Sequence, residues 1–248
     1  MSLQIERYLR KDRHQKFIAY FQTFSNTYAS LERLKTMYDT VREFSDIVGI
    51  AIGTRPDCVN EEILNLIETY TDTYEVWIEY GLQSSHNKTL EKINRGHTCQ
   101  QFLEAVELTS SRPIRICVHV ILGLPGENHE DVLQTARLIS QLPIHGIKFH
   151  PLQIIRNTPM ESMYRNGEIQ LLDGETYARW VVDFLEILPP GMVVQRITAD
   201  APDIWLIAPD WCRNKMNVIN RVDHIFNSRN SRQGKKYIIK NGHHAENI

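Results

Sequence analysis

Short apolar runs bounded by turn residues alternate along the chain with segments in which apolar residues recur at helical spacing. This alternation is typical of a parallel sheet whose strands are joined by crossover helices. The apolar runs predict six strands, over residues 17–21, 47–52, 76–78, 114–122, 147–152 and 193–197. Because the runs are almost continuously apolar, we expect helices to cover at least one face of the sheet.

The segments between the apolar runs carry apolar stripes with a period close to 3.6 residues and therefore predict helices. Asn60 stands before two glutamates, which is the pattern of a helix N-cap followed by an acidic first turn. Beyond residue 197, a proline-rich loop with Trp205 and Trp211 leads to an apolar helical stripe over residues 218–226. We interpret this last region as a C-terminal helical cap.

The composition is that of an ordinary globular protein, with 42% hydrophobic and 23% charged residues among 248. A formal net charge of -2 argues against a protein whose whole surface binds nucleic acid. No apolar run approaches the roughly 20 residues needed to span a bilayer, and the first residues contain no apolar signal segment. We therefore expect a cytoplasmic protein that has no membrane partner.

The chain contains four dispersed cysteines, Cys58, Cys99, Cys117 and Cys212. None of them stands at the CxxC or CxxxC spacing of a local metal site or iron–sulfur loop. We expect reduced thiols, most of them buried as small apolar side chains, rather than disulfides.

Polar side chains follow the predicted strands at the ends where ligands of parallel α/β proteins bind. They include hydroxyls, amides, imidazoles, carboxylates and a guanidinium, and they lie at residues 22–27, 53–58, 79–85, 119, 123–127 and 150–153. This set of groups fits a polar ligand that has a carboxylate, an amine and sugar hydroxyls. The sequence therefore predicts a ligand site at this rim.

Several of these segments together resemble the radical S-adenosylmethionine (radical SAM) superfamily. The resemblance rests on residues 81–84 (GLQS), 93–97 (INRGH), 121–127 (ILGLPGE), 54–58 (TRPDC) and 208–212 (APDWC). It lies near the coproporphyrinogen dehydrogenase and elongator catalytic-subunit branches, in a bacterial branch, and covers about residues 17–226. Each motif alone is weak, but their order and spacing are specific.

The resemblance implies that the rim binds S-adenosylmethionine (SAM). The loop with Ser25 and Asn26 is similar to the loop that holds the methionine amino group in the family. Gln83 and Arg95 match family positions that contact the ribose and the methionine carboxylate. His119 stands where relatives carry an acidic ribose ligand, so the charge at that position differs.

Other positions carry over in the same way. Gly123 and Pro125 belong to a turn that resembles the one through which the family's backbone approaches adenine, and Gln153 stands at the matching sixth-strand end. Taken alone, the residues 123–126 are a common turn signal, and Arg95 belongs to a pattern that also ends helices. The joint order of the motifs favours the family.

Two strand-end residues have alternative interpretations. Glu79 is a further candidate ligand, and Arg55 fits either a ligand carboxylate or a salt bridge to Asp57 or Glu79. A metal site at the rim is a second alternative, although histidines at strand ends more often form hydrogen bonds. Its candidate ligands are His145, His150 and Asp200.

The chemistry of the family requires a 4Fe-4S cluster held by three cysteines in a CxxxCxxC loop after the first barrel strand. The chain contains no such loop, and the resemblance begins at what corresponds to the second strand. We therefore expect an α/β fold, a partial TIM-type (β/α) barrel lacking its first strand. The missing loop and strand are explained either by a shortened chain or by a naturally degenerate relative. In both cases we expect that the chain by itself neither ligates the cluster nor cleaves SAM reductively.

The predicted organisation has an N-terminal helical lead-in, a partial radical SAM barrel, a C-terminal cap and a basic flexible tail. These parts cover residues 1–15, 16–200, 201–228 and 229–248. The strand over residues 17–21 would have an open edge. We expect either a helix over residues 3–13 to cover it or two chains to pair there as a homodimer.

Three functions follow. The first is the SAM-binding barrel portion of a radical SAM enzyme, in which the full-length protein cleaves SAM to a 5'-deoxyadenosyl radical. The second is a cluster-free protein that binds SAM or another small ligand, or that acts as a scaffold. The third is an RNA-modification factor, which kinship to the elongator subunit and the basic tail favour. The substrate is accordingly a small molecule or an RNA.

Overall fold

The computed structural model of the protein describes residues 16–199 and 204–238. The strands are β1 (Phe17–Phe21), β2 (Ile47–Thr54), β3 (Glu75–Gln83), β4 (Arg115–Leu122), β5 (Gly146–Pro151), β6 (Ile154–Ile155), β7 (Val193–Arg196) and β8 (Leu206–Ala208). The α-helices are α1 (Leu31–Asp39), α2 (Glu61–Glu68), α3 (Asn87–Lys92), α4 (Cys99–Ser110), α5 (His129–Ile139), α6 (Pro159–Arg165), α7 (Gly174–Ile187) and α8 (Lys215–Ser228). Short 3-10 helices cover Thr40–Glu43, Pro56–Cys58 and Asp210–Arg213.

The larger sheet has the strand order β1-β2-β3-β4-β5-β7, which follows the chain. The pairs β1–β2, β2–β3 and β5–β7 are parallel, so each needs a crossover, and the intervening helices supply it. All six predicted strands are present, and the predicted α/β fold of partial (β/α) barrel type is confirmed.

A second, antiparallel sheet pairs β6 with β8. The hydrophobic pattern did not predict it and assigned the region of β8 to a loop. Strands of two and three residues are too short to show an alternation of apolar and polar side chains.

Side-chain caps fix the starts of several helices. The Asn60 side chain accepts a hydrogen bond from the backbone N–H of Ile63 at 2.9 Å, which confirms the predicted N-cap of α2. Asn128 and Asp131 form a capping box at the start of α5, and Asp173 caps α7. Each cap satisfies N–H groups that have no partner within the helix and contributes about 1 kcal/mol.

The chain forms two compact units. The first consists of the residues up to Leu82 together with Gln100–Val118, and the second of Gln83–Cys99 and the residues from His119 onward. The predicted division at residues 15, 200 and 228 stays a prediction.

The first unit has an apolar core that contains buried tyrosines. Its buried apolar residues include Leu34, Ile50, Leu64, Ile78 and Phe102. The Tyr38 hydroxyl donates to the Asn26 carbonyl at 2.6 Å, and the hydroxyls of Tyr80 and Thr109 lie 2.7 Å apart. Because each buried hydroxyl has a partner, the rings fill the core without an unsatisfied polar atom.

In the second unit, α7 packs against β5 through the rings of Phe149 and Phe184, whose centroids lie 5.1 Å apart in an edge-to-face arrangement. Helix α8 lies along α7 and buries Val218, Val222 and Ile225. The helix predicted for the C-terminal segment is therefore present, and its apolar stripe rests on the crossover helix that precedes β7.

Residues 229–238 are bound to the body of the second unit. The Gln233 side chain donates to the carbonyls of Pro189 and Met192, both at 2.8 Å, and the Gly234 N–H donates to the Leu185 carbonyl at 3.0 Å. This part of the predicted tail is therefore attached to the loop between α7 and β7. Predictions on residues 1–15, 200–203 and 239–248, including the helix over 3–13, lie outside the described residues.

Strand β1 pairs with β2 on one side, and the described residues supply no strand for its other side. Ile18 and Tyr20 on this strand are 51% and 38% exposed. The homodimer through this edge stays a prediction. Among the described helices, none combines the length and apolar character that crossing a bilayer requires.

The turn after β4 depends on a left-handed backbone at Gly123, whose φ is +87°. A Cβ added there would lie 3.1 Å from Cγ of Leu172. Gly167 has a similar φ of +77°, but no atom lies within 4 Å of the position its Cβ would take. Replacing Gly167 by alanine would add only backbone strain, whereas replacing Gly123 would add both backbone strain and a steric collision.

We expect Gly123→Ala to lower the free energy of unfolding by about 2–3 kcal/mol and Gly167→Ala by about 1 kcal/mol, because only the first adds a collision to the strain. Gly191→Ala is the control, since Gly191 has an ordinary backbone and open space around it. Chemical denaturation of the three variants measures this. Equal losses at Gly123 and Gly167 would contradict the argument.

Candidate functional site

In the first unit, the loop after β1 is tied to the end of β2 by Asn26. Its side-chain amide donates to the carbonyls of Phe21 and Gly53 at 3.0 and 2.9 Å, and its backbone N–H donates to Gly53 at 3.1 Å. The carbonyl of the neighbouring Ser25 accepts from the Tyr28 N–H at 3.1 Å. These bonds fix the loop that carries both predicted ligands, whose contacts with SAM stay a prediction.

Glu79 is buried on β3 with only 2% of its surface exposed. Its Oε2 accepts a hydrogen bond of 2.7 Å from the hydroxyl of Tyr20 on β1. The sequence placed Glu79 after the third strand, but β3 is longer than predicted and holds it within the strand. Tyr20 was not singled out, although a polar ring inside an apolar run was the signal that could have found it.

Arg55 forms a two-point ion pair with Asp57. Its Nε donates to Asp57 Oδ1 at 2.9 Å, and its second nitrogen contacts the other carboxylate oxygen. Hydrogen bonding to Asp57 is the main reason why the pKa of Arg55 lies above its usual value. One of the alternatives for Arg55, the salt bridge to Asp57, is therefore present.

In the second unit, Gln83 ends β3 with a left-handed backbone, at φ +70°. A non-glycine residue in this region costs about 1 kcal/mol or more, and such strain concentrates at functional sites. The sequence placed Gln83 in the loop after a strand over residues 76–78, but β3 extends to Gln83. The contact of Gln83 with SAM stays a prediction.

The next residue, Ser84, is buried and forms a hydrogen bond with Glu127, which follows the turn after β4. The Oγ of Ser84 also accepts the His86 N–H at 3.0 Å. Burial raises the pKa of Glu127, and the hydrogen bond from Ser84 opposes this. The network brings together the ends of β3 and β4, which carry Gln83 and the turn. The sequence placed Glu127 among the polar groups at the strand ends but assigned it no contact with SAM.

Two more predicted ligand positions lie in turns. Arg95 stands between Asn94 and Gly96, which have left-handed backbones at φ +51° and +75°. Pro125 is buried in the turn that starts at Gly123. The predicted helix stop and the predicted turn are therefore both present, and their contacts with SAM stay predictions.

Gln153 follows β5 and is buried. Its side-chain amide donates to the Ala199 carbonyl at 3.1 Å. It also hydrogen-bonds Cys212, whose pKa is raised to about 11 by burial, so this thiol stays protonated near neutral pH. Gln153 therefore links the end of β5 to the chain after β7. Among the described residues, no hydrogen bond joins it to Ser84 or Glu127.

The histidines do not form the metal site that was one alternative. His145 precedes β5 and His150 lies near its end, so the two residues are five positions apart, which corresponds to about 16 Å of extended chain. His119 lies within β4, inside the strand predicted over residues 114–122, and is half-buried. Asp200 lies outside the described residues. Extended backbone separates the two imidazoles too far to share an ion.

The described cysteines do not fit a 4Fe-4S cluster. Cys117 and Cys212 are buried, Cys58 and Cys99 are half-buried, and none of the four forms a disulfide in the described part of the chain. No three cysteines converge among residues 16–199 and 204–238. A cluster of this kind requires converging thiolates, and burial raises the pKa of Cys99 away from the thiolate form.

Family models match most of the chain. The model of the radical SAM superfamily covers residues 4–139, and that of the radical SAM C-terminal domain covers residues 144–227. YtqA of Bacillus subtilis is 39% identical over 89% of this chain and 68% of its own length. A tRNA uridine(34) acetyltransferase of Dehalococcoides mccartyi is 27% identical over 72% of this chain and 39% of its own length.

The fold has a close parallel among solved structures. The archaeal Elp3 of Methanocaldococcus infernus, with an N-terminal deletion, superimposes with a TM-score of 0.77 over 93% of this chain at 20% sequence identity. The chain spans 58% of the length of that structure. The superfamily model alone covers more than half of the chain, and the chain therefore belongs to the radical SAM superfamily.

Proposed function

We propose that this chain binds SAM and forms the SAM-binding barrel portion of a radical SAM enzyme. The observation that carries the proposal is the superfamily match over residues 4–139, which contain Gln83, Arg95 and the turn at Gly123. The backbone strain at Gln83 supports it, because strain at the end of a barrel strand is expected where a ligand binds.

In this proposal, each group of SAM has a residue of matching chemistry. The Arg95 guanidinium binds the methionine carboxylate, and the Gln83 side chain binds a ribose hydroxyl, with His119 as a second hydroxyl partner. The contact of Ser25 and Asn26, in the first unit, with the methionine amino group stays a prediction. The left-handed turn at Gly123 brings backbone groups to the adenine.

SAM supplies a 5'-deoxyadenosyl radical when it is cleaved reductively, which in this family requires the iron–sulfur cluster. The described cysteines do not converge, so we assign no step of that cleavage to the residues of this chain. Their part is to bind and orient SAM. The radical chemistry belongs to the full-length protein in this proposal.

We expect the protein, without added iron, to bind SAM in isothermal titration calorimetry. Gln83→Gly removes the side chain and relieves the left-handed backbone, so it should weaken SAM binding about tenfold while the free energy of unfolding rises. Arg95→Ala should weaken binding about 10- to 100-fold, because it removes a hydrogen bond to a charged group.

The matched control is Arg165→Ala, since Arg165 is an exposed arginine that pairs with Glu161 on the surface of α6. It should leave SAM affinity unchanged. Absence of SAM binding at millimolar ligand would overturn the proposed function, and so would wild-type affinity in both site variants.

We expect anaerobic reconstitution with iron and sulfide, followed by dithionite and SAM, to yield no 5'-deoxyadenosine above background. The physical reason is the dispersal of the four cysteines. Chromatography of the reaction measures the product, with an intact radical SAM enzyme as positive control. Turnover above background would contradict the prediction, whereas SAM binding without turnover also fits a cluster-free SAM-binding or scaffold protein.

RNA modification is a second candidate function, because one relative is a tRNA uridine(34) acetyltransferase. The basic segment after α8 supports RNA binding only in part. Two of its cations already form ion pairs within the protein, Arg229 with Asp183 and Lys236 with Glu186. Arg232 and Lys235 are exposed in the same segment.

If RNA is the substrate, tRNA affinity should fall steeply with salt, and Arg232→Ala with Lys235→Ala should reduce the slope of log affinity against log salt by about 1–2. Filter binding over a series of salt concentrations measures this. Lys88→Ala, a change at an exposed lysine on α3, is the control. A flat salt dependence would argue against an RNA substrate.

A further inference from the structure

In the second unit, three successive residues after β3 are each hydrogen-bonded to helix α5 or to the residues just before it. Ser84 donates to the carboxylate of Glu127, which directly precedes the N-cap of α5. The Ser85 N–H donates to the Thr135 hydroxyl at 3.2 Å, and the hydroxyls of the same two residues lie 2.9 Å apart. The first two residues after β3 are therefore attached to two points one after the other along the chain that forms α5.

The third residue, His86, is attached to α5 through its ring. Its Nε2 lies 3.0 Å from the Asp131 carbonyl, which can only accept, so Nε2 carries the proton and donates. The Thr135 hydroxyl reaches the same carbonyl at 3.3 Å. Because three consecutive residues are bonded, the segment cannot slide or turn against α5 without breaking several hydrogen bonds. We call this set the β3 clamp, and it consists of Ser84, Ser85, His86, Glu127, Asp131 and Thr135.

Glu127 gives the hydrogen bonds of the β3 clamp a fixed direction. A carboxylate can only accept, so the Ser84 hydroxyl donates to Glu127, and its oxygen accepts the His86 N–H at 3.0 Å. The side chain of Thr89, on α3, forms a second hydrogen bond with the Glu127 side chain. Ser84 is only 1% exposed, so water does not compete for its bonds. Hydrogen bonds that are shielded from water hold the segment more firmly than exposed ones.

Gln83 directly precedes the β3 clamp and has a left-handed backbone, at φ +70°. Such a backbone is unfavourable for a residue with a side chain, and it persists only where the surroundings impose it. Strand β3 fixes the chain before Gln83, and the β3 clamp fixes the chain after it. Glycine would adopt the same backbone without strain, so stability does not account for a side chain at this position.

We propose that Glu127, acting through Ser84, is a positioning residue that holds Gln83 for the ribose hydroxyls of SAM. The β3 clamp thereby sets the preference of the site for a ribose over a sugar without hydroxyls. The inference rests on the proposed function, in which the Gln83 side chain binds a ribose hydroxyl. Glu127 itself touches no part of SAM in this inference, and its effect passes through the backbone between Ser84 and Gln83.

The test compares adenosine with 2',3'-dideoxyadenosine, which lacks both ribose hydroxyls, as ligands of the whole protein. Displacement of radiolabelled SAM in equilibrium dialysis gives both affinities. We expect the wild type to bind adenosine about tenfold more tightly, because only adenosine offers hydroxyls to Gln83. In Glu127→Leu this preference should fall below about twofold, whereas the affinity for 2',3'-dideoxyadenosine should stay that of the wild type.

Three further variants separate positioning from folding. Glu127→Gln keeps an oxygen that accepts from Ser84 and should restore most of the preference, while Ser84→Ala removes the other partner of the bond and should behave as Glu127→Leu does, even where that variant fails to fold. In a Gln83→Gly background, Glu127→Leu should change adenosine affinity by less than about twofold, because no side chain is left to position. The control is Glu168→Leu, a change at an exposed glutamate of the same unit, and it should keep the wild-type preference.

A wild-type preference for adenosine in Ser84→Ala would overturn the inference. Equal losses of affinity for both nucleosides in Ser84→Ala and Glu127→Leu would overturn it as well, because the β3 clamp would then only join α3 to α5. An undiminished effect of Glu127→Leu in the Gln83→Gly protein has the same meaning. If the wild type binds SAM but does not distinguish the nucleosides, only this inference fails. If the wild type binds neither SAM nor adenosine, the proposed function fails and the inference fails with it.

Discussion

The candidate site depends on the parallel pairing of successive strands. A parallel strand is joined to its neighbour by a crossover, so neighbouring carboxyl ends always arrive at the same edge. In the first unit this rule places the loop after β1 beside the end of β2, where Asn26 bonds the Gly53 carbonyl. In the second unit it places Lys148 of β5 beside Arg196 of β7. In each unit, strand pairing rather than a ligand therefore brings together residues that are far apart in sequence.

Several site residues are held in conformations that reduce stability. Gln83 has a left-handed backbone, Glu79 is a buried carboxylate, and partial burial raises the pKa of Glu127. Each is tolerated because neighbouring groups compensate, as the Tyr20 hydroxyl does for Glu79. Such compensated strain is expected where a polar ligand is bound, and it distinguishes these positions from the apolar core around Ile50 and Phe149.

Most of the fold was predictable, and the reason is periodicity. Near-continuous apolar runs gave six strands to within a few residues, and Asn60 was recognised as an N-cap from the glutamates that follow it. The exception is the end of β3, where polar Glu79 and Gln83 were assigned to a loop although they continue the strand. Polar residues in the sequence do not reliably mark where a strand ends. A strand can contain a polar side chain when a neighbouring strand supplies a hydrogen-bond partner, as Tyr20 does for Glu79.

The sequence by itself determined the family, the six strands of the larger sheet and which residue types stand near the strand ends, because these follow from local motifs, periodicity and spacing. The tertiary structure alone decided which groups meet. It paired Arg55 with Asp57, joined Ser84 to Glu127, separated His145 from His150 and set Arg196 rather than Gln195 opposite Lys148. Register and side-chain contacts between distant segments decide such pairings, and a hydrophobic pattern along one chain carries no information about a shift of one residue between two strands.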